Sequence, residues 1–130
     1  MLKPTAKILI VDDSISIRKI ITHILKQMGF SQTVESKDAE QAYELLLVHL
    51  KKPDPIQFII CDLNLPKMSG IDFIKKCRAE KAFEAIPFLL VTADTDLDKI
   101  KNANKEGVTD YILKPFSPAV FKSKFEKYLN

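Results

Sequence analysis

Tryptophan is missing from this 130-residue chain, cysteine occurs twice and glycine three times. Each scarcity excludes something. Two cysteines are too few for a disulfide framework, and Cys61 and Cys77 have no metal-ligand spacing, so both read as buried free thiols. With only Gly29, Gly70 and Gly107 present, no glycine-rich phosphate loop follows any strand, which removes the nucleotide-binding classes built on one. No apolar run approaches the roughly 20 residues that span a bilayer. The apolar run Ile8 to Val11, close behind the first residues, is too short for the core of a signal peptide, so the expected compartment is the cytoplasm. Nor does charge of either sign dominate. Twenty Lys and Arg stand against 17 Asp and Glu, a formal net charge of +3, with no arginine-rich stripe. Neither a nucleic-acid nor a membrane partner is expected from that balance.

What is present is ordinary for a globular chain: 46% hydrophobic and 28% charged residues, at a length that suits one domain, residues 1–130. Five short apolar or β-branched runs alternate with five helical patterns. The runs are Ile8-Leu9-Ile10-Val11, Thr33-Val34-Glu35, Phe58-Ile59-Ile60-Cys61, Phe88-Leu89-Leu90-Val91 and Tyr111-Ile112-Leu113. The first, third and fourth are continuously apolar, as parallel strands covered on both faces are, while the second and fifth suit sheet edges. Between them, Ile17, Ile20, Ile21, Ile24, Leu25 and Met28 recur at helical spacing up to Gly29. Asp38 with Gln41 opens a second helix carrying Ala42, Leu45, Leu46 and Leu50. Ile71, Ile74 and Cys77 mark a third, opened near Ser69-Gly70. Leu97, Ile100 and Ala103 mark a fourth, and Ser117-Pro118 caps a fifth with Phe121, Phe125 and Leu129. Such alternation predicts a parallel sheet with right-handed crossovers, and polar edges predict the strand order 2-1-3-4-5. In that order the site lies outside the carboxyl ends of the strands, between strands one and three.

Strand one runs straight into Asp12-Asp13 and strand three into Asp62. An acidic pair after a strand is often only a turn or a cap. Here, however, three carboxylates converge, and like charges so close cannot all ionise cheaply, so a cation is implied. Oxygen ligands without nearby His or Cys favour Mg2+. Strand four ends in Thr92-Ala93 and strand five in Lys114-Pro115, so a hydroxyl and an ammonium face the same crevice. A metal site beside an anion site is what a transferring phosphoryl group requires. A carboxylate can itself be the nucleophile, and Asp62, central and opposite Thr92 and Lys114, is the best placed to become an acyl phosphate.

The chain resembles the receiver domain of two-component response regulators, and within that family the single-domain chemotaxis type. The resemblance runs from Lys7 to Leu129. It is carried by Ile8-Leu9-Ile10-Val11-Asp12-Asp13-Ser14, by Cys61-Asp62-Leu63-Asn64-Leu65-Pro66-Lys67-Met68-Ser69-Gly70, by Val91-Thr92-Ala93-Asp94, and by Gly107-Val108-Thr109-Asp110-Tyr111-Ile112-Leu113-Lys114-Pro115-Phe116. It implies a flavodoxin-like (βα)5 doubly wound fold, and a phosphoryl group taken onto Asp62 from a sensor histidine kinase. It also implies Mg2+ held by Asp13 and Asp62, by Asp12 through water, and by the Asn64 backbone carbonyl. Lys114 would pair with the phosphoryl group across a cis bond to Pro115. Thr92 would move toward that group, and Tyr111 would follow it inward as an aromatic switch; from residue type alone Tyr111 is a half-buried edge tyrosine. Two departures stand out. Ser69-Gly70 replaces the frequent Asp-Gly, and Asp94 stands where chemotaxis-type members commonly carry glutamate. The resemblance implies that Asp94 and Asn64 would flank the route of attacking water.

The chain ends with the fifth helix, so its output is expected to be a binding event rather than turnover of a substrate or DNA contact. The thin apolar stripe of the fourth helix suits an element that shifts between two positions. Lys99, Lys101, Lys105, Lys122, Lys124 and Lys127 collect across the last two helices, either as a solvated face or as a docking surface for acidic segments. The expected listener is a signalling protein such as the flagellar motor switch. An intermediate carrier in a phosphorelay, or the receiver piece of a longer regulator, are the alternatives. A Mg2+ phosphatase using an aspartyl phosphate fits less well, because such enzymes typically place a second acid where this chain has Asn64.

Overall fold

The computed structural model describes residues 2–108 and 110–129, so Thr109 of the last motif lies outside the described residues. Ten elements follow in strict alternation: β1 (Lys7–Val11), α1 (Ile15–Gln27), β2 (Thr33–Ser36), α2 (Ala39–Leu50), β3 (Ile56–Cys61), α3 (Gly70–Ala79), β4 (Phe88–Thr92), α4 (Leu97–Lys105), β5 (Tyr111–Leu113) and α5 (Pro118–Glu126). The five strands form one parallel sheet in the order β2-β1-β3-β4-β5. Fold class, strand order and the edge placement of β2 and β5 all agree with the sequence expectation.

Pleating explains why β1, β3 and β4 carry continuous apolar runs. Leu9, Val11, Ile59, Cys61, Phe88 and Leu90 point to the layer of α2, α3 and α4, where they pack with Leu46, Phe73, Ile74 and Ala103. Ile8, Ile10, Phe58, Ile60, Leu89 and Val91 point to the other layer, against Ile21, Ile24, Leu25, Phe121 and Phe125 of α1 and α5. Phe125 meets both Phe30 and Phe58 edge-on at 5.3 Å between ring centroids. Each such pair adds about 0.5–1.5 kcal/mol to its area burial.

Helix starts follow the expected caps. Ser14, Asp38, Ser69 and Ser117 each accept a hydrogen bond from the backbone N–H three residues on. At Asp38 the box is incomplete: the Gln41 side-chain oxygen Oε1 accepts from Lys37 N, not from the cap's own amide. Three residues of the apolar stripes prove exposed. Ile20 is 47% exposed on α1, Leu50 lies outside the core on α2, and Leu97, the first residue of α4, is 67% exposed. At the end of a helix, where Leu50 and Leu97 lie, periodicity alone cannot say whether a neighbour reaches the last turn. The fourth helix is thus held by an even thinner stripe than its sequence suggests, with Ile100 and Ala103 alone buried among its nine residues. Both cysteines are buried free thiols, as expected.

Candidate functional site

The β ladder itself delivers the acidic residues. Past the end of β1, Asp12 N still donates to Ser36 O of β2 at 3.0 Å, and Asp62 N donates to Val11 O at 3.0 Å. Both carboxylates are therefore held by continuous sheet backbone, and both are buried, at 2% and 6% exposure. On each side chain one oxygen is tied to its own loop: Ser14 N donates to Asp12 Oδ1 at 2.9 Å, and Asn64 N to Asp62 Oδ1 at 3.1 Å. The other oxygens converge on one cation. Lys114 Nζ donates to Asp12 Oδ2 at 2.6 Å and to Asp62 Oδ2 at 2.9 Å.

Lys114 reaches them because the ladder also runs past β5, where Lys114 N donates to Thr92 O at 2.9 Å. The bond to Pro115 is cis. Burial works against the charged form of Lys114, yet the hydrogen bonds to Asp12 and Asp62 and their charges outweigh it. Its ammonium holds its proton more tightly than an ordinary lysine does. Exposed Asp13 completes the acidic group: Asp12, Asp13 and Asp62 each place a carboxylate oxygen within 4.8 Å of the others. An all-oxygen set of that size, two members buried and one open to solvent, fits a hard divalent cation such as Mg2+.

Thr92, the last residue of β4, is fully buried, and its Oγ1 accepts from Asp94 N at 3.1 Å. A hydroxyl used in this way as acceptor still has its proton to donate. Tyr111 is half-buried at the edge strand, against the α2–α4 layer of the core. Asp12, Asp13, Asp62, Thr92 and Lys114 thus stand at the carboxyl ends of β1, β3, β4 and β5, whereas Tyr111 opens β5.

Three features were not legible in the sequence. Gly70 sits so close behind the acidic loop that a Cβ there would lie 2.3 Å from Asp62 O and 2.7 Å from Leu63 Cα. Glycine at this position is a packing necessity, whatever residue precedes it. Arg18, one turn into α1, donates Nη1 to the Asp12 carbonyl at 2.5 Å and Nε to Glu35 at 3.0 Å, which pins the β1 loop to β2. Lys99, expected on a solvated or docking face, instead reaches back to the mouth of the crevice, 2.8 Å from Asp94 Oδ2 and 3.3 Å from Asn64 Oδ1. The ammonium and the amides around it hold the Asp94 carboxyl well below the usual carboxylate range, at about 2. Lys124 and Lys127 are likewise engaged, at 2.7 and 3.1 Å from Asp110. Of the six lysines read as either a solvated face or a docking surface, three are therefore paired within the chain.

Comparison with known proteins gives the family. Residues 8–126 match the response regulator receiver domain family. The chain belongs to that family. It is 38% identical over 123 residues to a chemotaxis protein CheY homolog of Campylobacter jejuni, covering 95% of this chain and 92% of the relative. To the chemotaxis protein CheY of Pseudomonas aeruginosa it is 40% identical over 121 residues, 93% and 94% of the two chains. Among solved structures, CheY4 of Vibrio cholerae superposes with a TM-score of 0.80 at 32% identity, covering 95% of this receiver and 98% of that chain. As a receiver, this chain shares with its family the acidic pocket in which Mg2+ and a phosphoryl group are typically handled, and it is a signalling protein.

Proposed function

We propose that this receiver is a single domain over residues 1–130 that accepts a phosphoryl group on Asp62 from a sensor histidine kinase, with Mg2+, and thereby switches a protein-binding surface. The observation that carries the reading is the bridge from Lys114 to both Asp12 and Asp62, beside the exposed carboxylate of Asp13.

In the transfer, an Asp62 carboxylate oxygen attacks the phosphorus of a phosphohistidine. The new P–O bond forms as the P–N bond breaks, and the electron pair returns to the imidazole. Asp12, Asp13, Asp62 and the Asn64 backbone carbonyl would hold the metal. When bound, Mg2+ supplies positive charge that offsets the phosphoryl oxygens. Lys114, already aimed at Asp62 Oδ2, offsets further charge, and the Thr92 hydroxyl donates to a phosphoryl oxygen. Drawing Thr92 toward the phosphoryl group vacates space for the Tyr111 ring and biases α4, the most lightly buried helix on that side. The names of the near full-length relatives favour a chemotaxis-type output, with a target such as the flagellar motor switch.

Acetyl phosphate with Mg2+ should add one phosphoryl group to the intact chain by mass, and Asp62→Asn should abolish the gain. An unchanged mass with the metal bound would overturn the acceptor role. Return of the group from phosphorylated Asp62 to a partner histidine would instead assign the chain to a multistep relay.

A further inference from the structure

Outside the residues that meet the phosphoryl group, a closed polar ring stands at the mouth of the crevice. Lys99 Nζ donates to Asp94 Oδ2 at 2.8 Å and to Asn64 Oδ1 at 3.3 Å, while Asn64 Nδ2 donates to the same Asp94 Oδ2 at 3.1 Å. The ring joins three separate pieces of chain: the loop after β3, the loop after β4 and the first turn of α4. The Asn64 amide has its two ends fixed by opposite partners, oxygen to the ammonium and nitrogen to the carboxylate. Asp94 is further tied through Oδ1 to Asp96 N at 2.9 Å, and through its own N–H to Thr92 Oγ1 at 3.1 Å. Lys99 itself is half out in solvent, and its hydrogen bonds and ion pair go to Asp94 and Asn64, not to Asp12, Asp13 or Asp62.

We infer that Lys99 is a positioning residue that sets the lifetime of the phosphorylated state by pinning Asp94 and Asn64 over the crevice. The inference rests on the acceptor reading of Asp62. Loss of the phosphoryl group requires a water oxygen to attack phosphorus as the bond to the Asp62 oxygen breaks. Inorganic phosphate leaves, the carboxylate is restored, and the water's proton passes to an acceptor or to solvent. Asp94 Oδ2 and Asn64 Oδ1 are acceptors beside that approach. With one ammonium hydrogen-bonded to both, neither is free to turn and orient a water. The same ammonium neutralises a carboxylate that would otherwise repel an arriving phosphoryl donor. Removing it therefore speeds hydrolysis and slows uptake, and both effects lower steady-state occupancy.

The test is Lys99→Met beside Lys99→Arg and the control Lys101→Met, which removes an exposed charge two residues along the same helix. Each protein is loaded from acetyl phosphate with Mg2+, and loss of the phosphoryl group is followed by mass after the donor is removed. Hydrolysis should be faster in Lys99→Met by about threefold or more, near the original rate in Lys99→Arg, and unchanged in Lys101→Met. In the metal-free proteins, the Asn64 side-chain amide resonances should shift in Lys99→Met and not in Lys101→Met. A Lys99→Met lifetime equal to or longer than the original, or Asn64 resonances that do not move, would overturn the inference. Failure of the unsubstituted chain to take up any phosphoryl group would instead overturn the acceptor reading itself.

Discussion

Gly70 shows how a single residue can be dictated by its surroundings rather than by its own conformation. Its backbone angles are not left-handed, yet a methyl group would meet Asp62 O at 2.3 Å. Its N–H donates to Leu63 O at 2.7 Å, so helix α3 is drawn tight against the loop that presents Asp62. Gly70→Ala must push backbone away from backbone, with no flexible side chain to give way. It should lose about 1–3 kcal/mol in urea unfolding, the usual range for overpacking. The displaced loop should also weaken Mg2+ binding, read as a smaller rise in melting temperature on adding the ion. A fully stable variant with unaltered metal response would refute the close-approach argument. From the sequence alone Ser69-Gly70 is only a departure from the frequent Asp-Gly, because no local pattern records which backbone lies across from a glycine.

At the scale of elements, α3 and α4 cover the same face of the sheet with unequal grip. Four residues of α3 are buried along ten positions, against two of nine in α4. Sparse apolar burial means that α4 can open locally at low free energy. Its amides should therefore exchange with solvent well before those of α3 or β3, measured by hydrogen exchange on the unphosphorylated chain. On phosphorylation the protection of α4 should change more than that of α1, which lies in the opposite layer. Equal protection of α3 and α4 would remove the case for α4 as the moving element. The apolar spacing made this helix legible as thinly anchored, but the polar ring through Lys99 that ties its first turn to Asp94 was not. Asp94 lies before the Asp96 cap, so no helical spacing rule relates the two residues.

Across the whole molecule, acid stability is set partly at the far end of the sheet from the crevice. Nearly buried Lys7, the first residue of β1, places Nζ 2.9 Å from His49 Nδ1 and 3.2 Å from Asp54 Oδ2. Burial, then the charges of Lys7 and Lys52, make His49 harder to protonate than the ordinary imidazole, with Asp54 opposing them. A base with a lowered folded value binds fewer protons than the unfolded chain just below pH 6.5. Stability conferred by neutral His49 is therefore present above that pH and is lost as pH falls through the window toward the folded value. Between neutral pH and about pH 5, urea unfolding should show a falling stability that is shallower in His49→Gln. Carboxylates held low by their lysines, Asp94 and Asp110 among them, contribute stability above 3.8 that is lost in stronger acid, so the two arms are separable. Identical slopes for both proteins would exclude His49 from the effect.

Sequence alone determined the alternation of strands and helices, the order of the sheet and the crevice where Asp12, Asp13, Asp62, Thr92 and Lys114 meet. Continuous apolar runs demand cover on both faces, and parallel strands must then present their carboxyl ends together. Tertiary structure alone decided which charges are engaged: Lys99 with a residue of the β3 loop, Lys124 and Lys127 with Asp110, Lys7 with the end of α2. It also decided that Leu97, at the apolar spacing of its helix, faces solvent. Those outcomes turn on distances between segments far apart along the chain, and a local period of two or 3.6 residues carries no information about them.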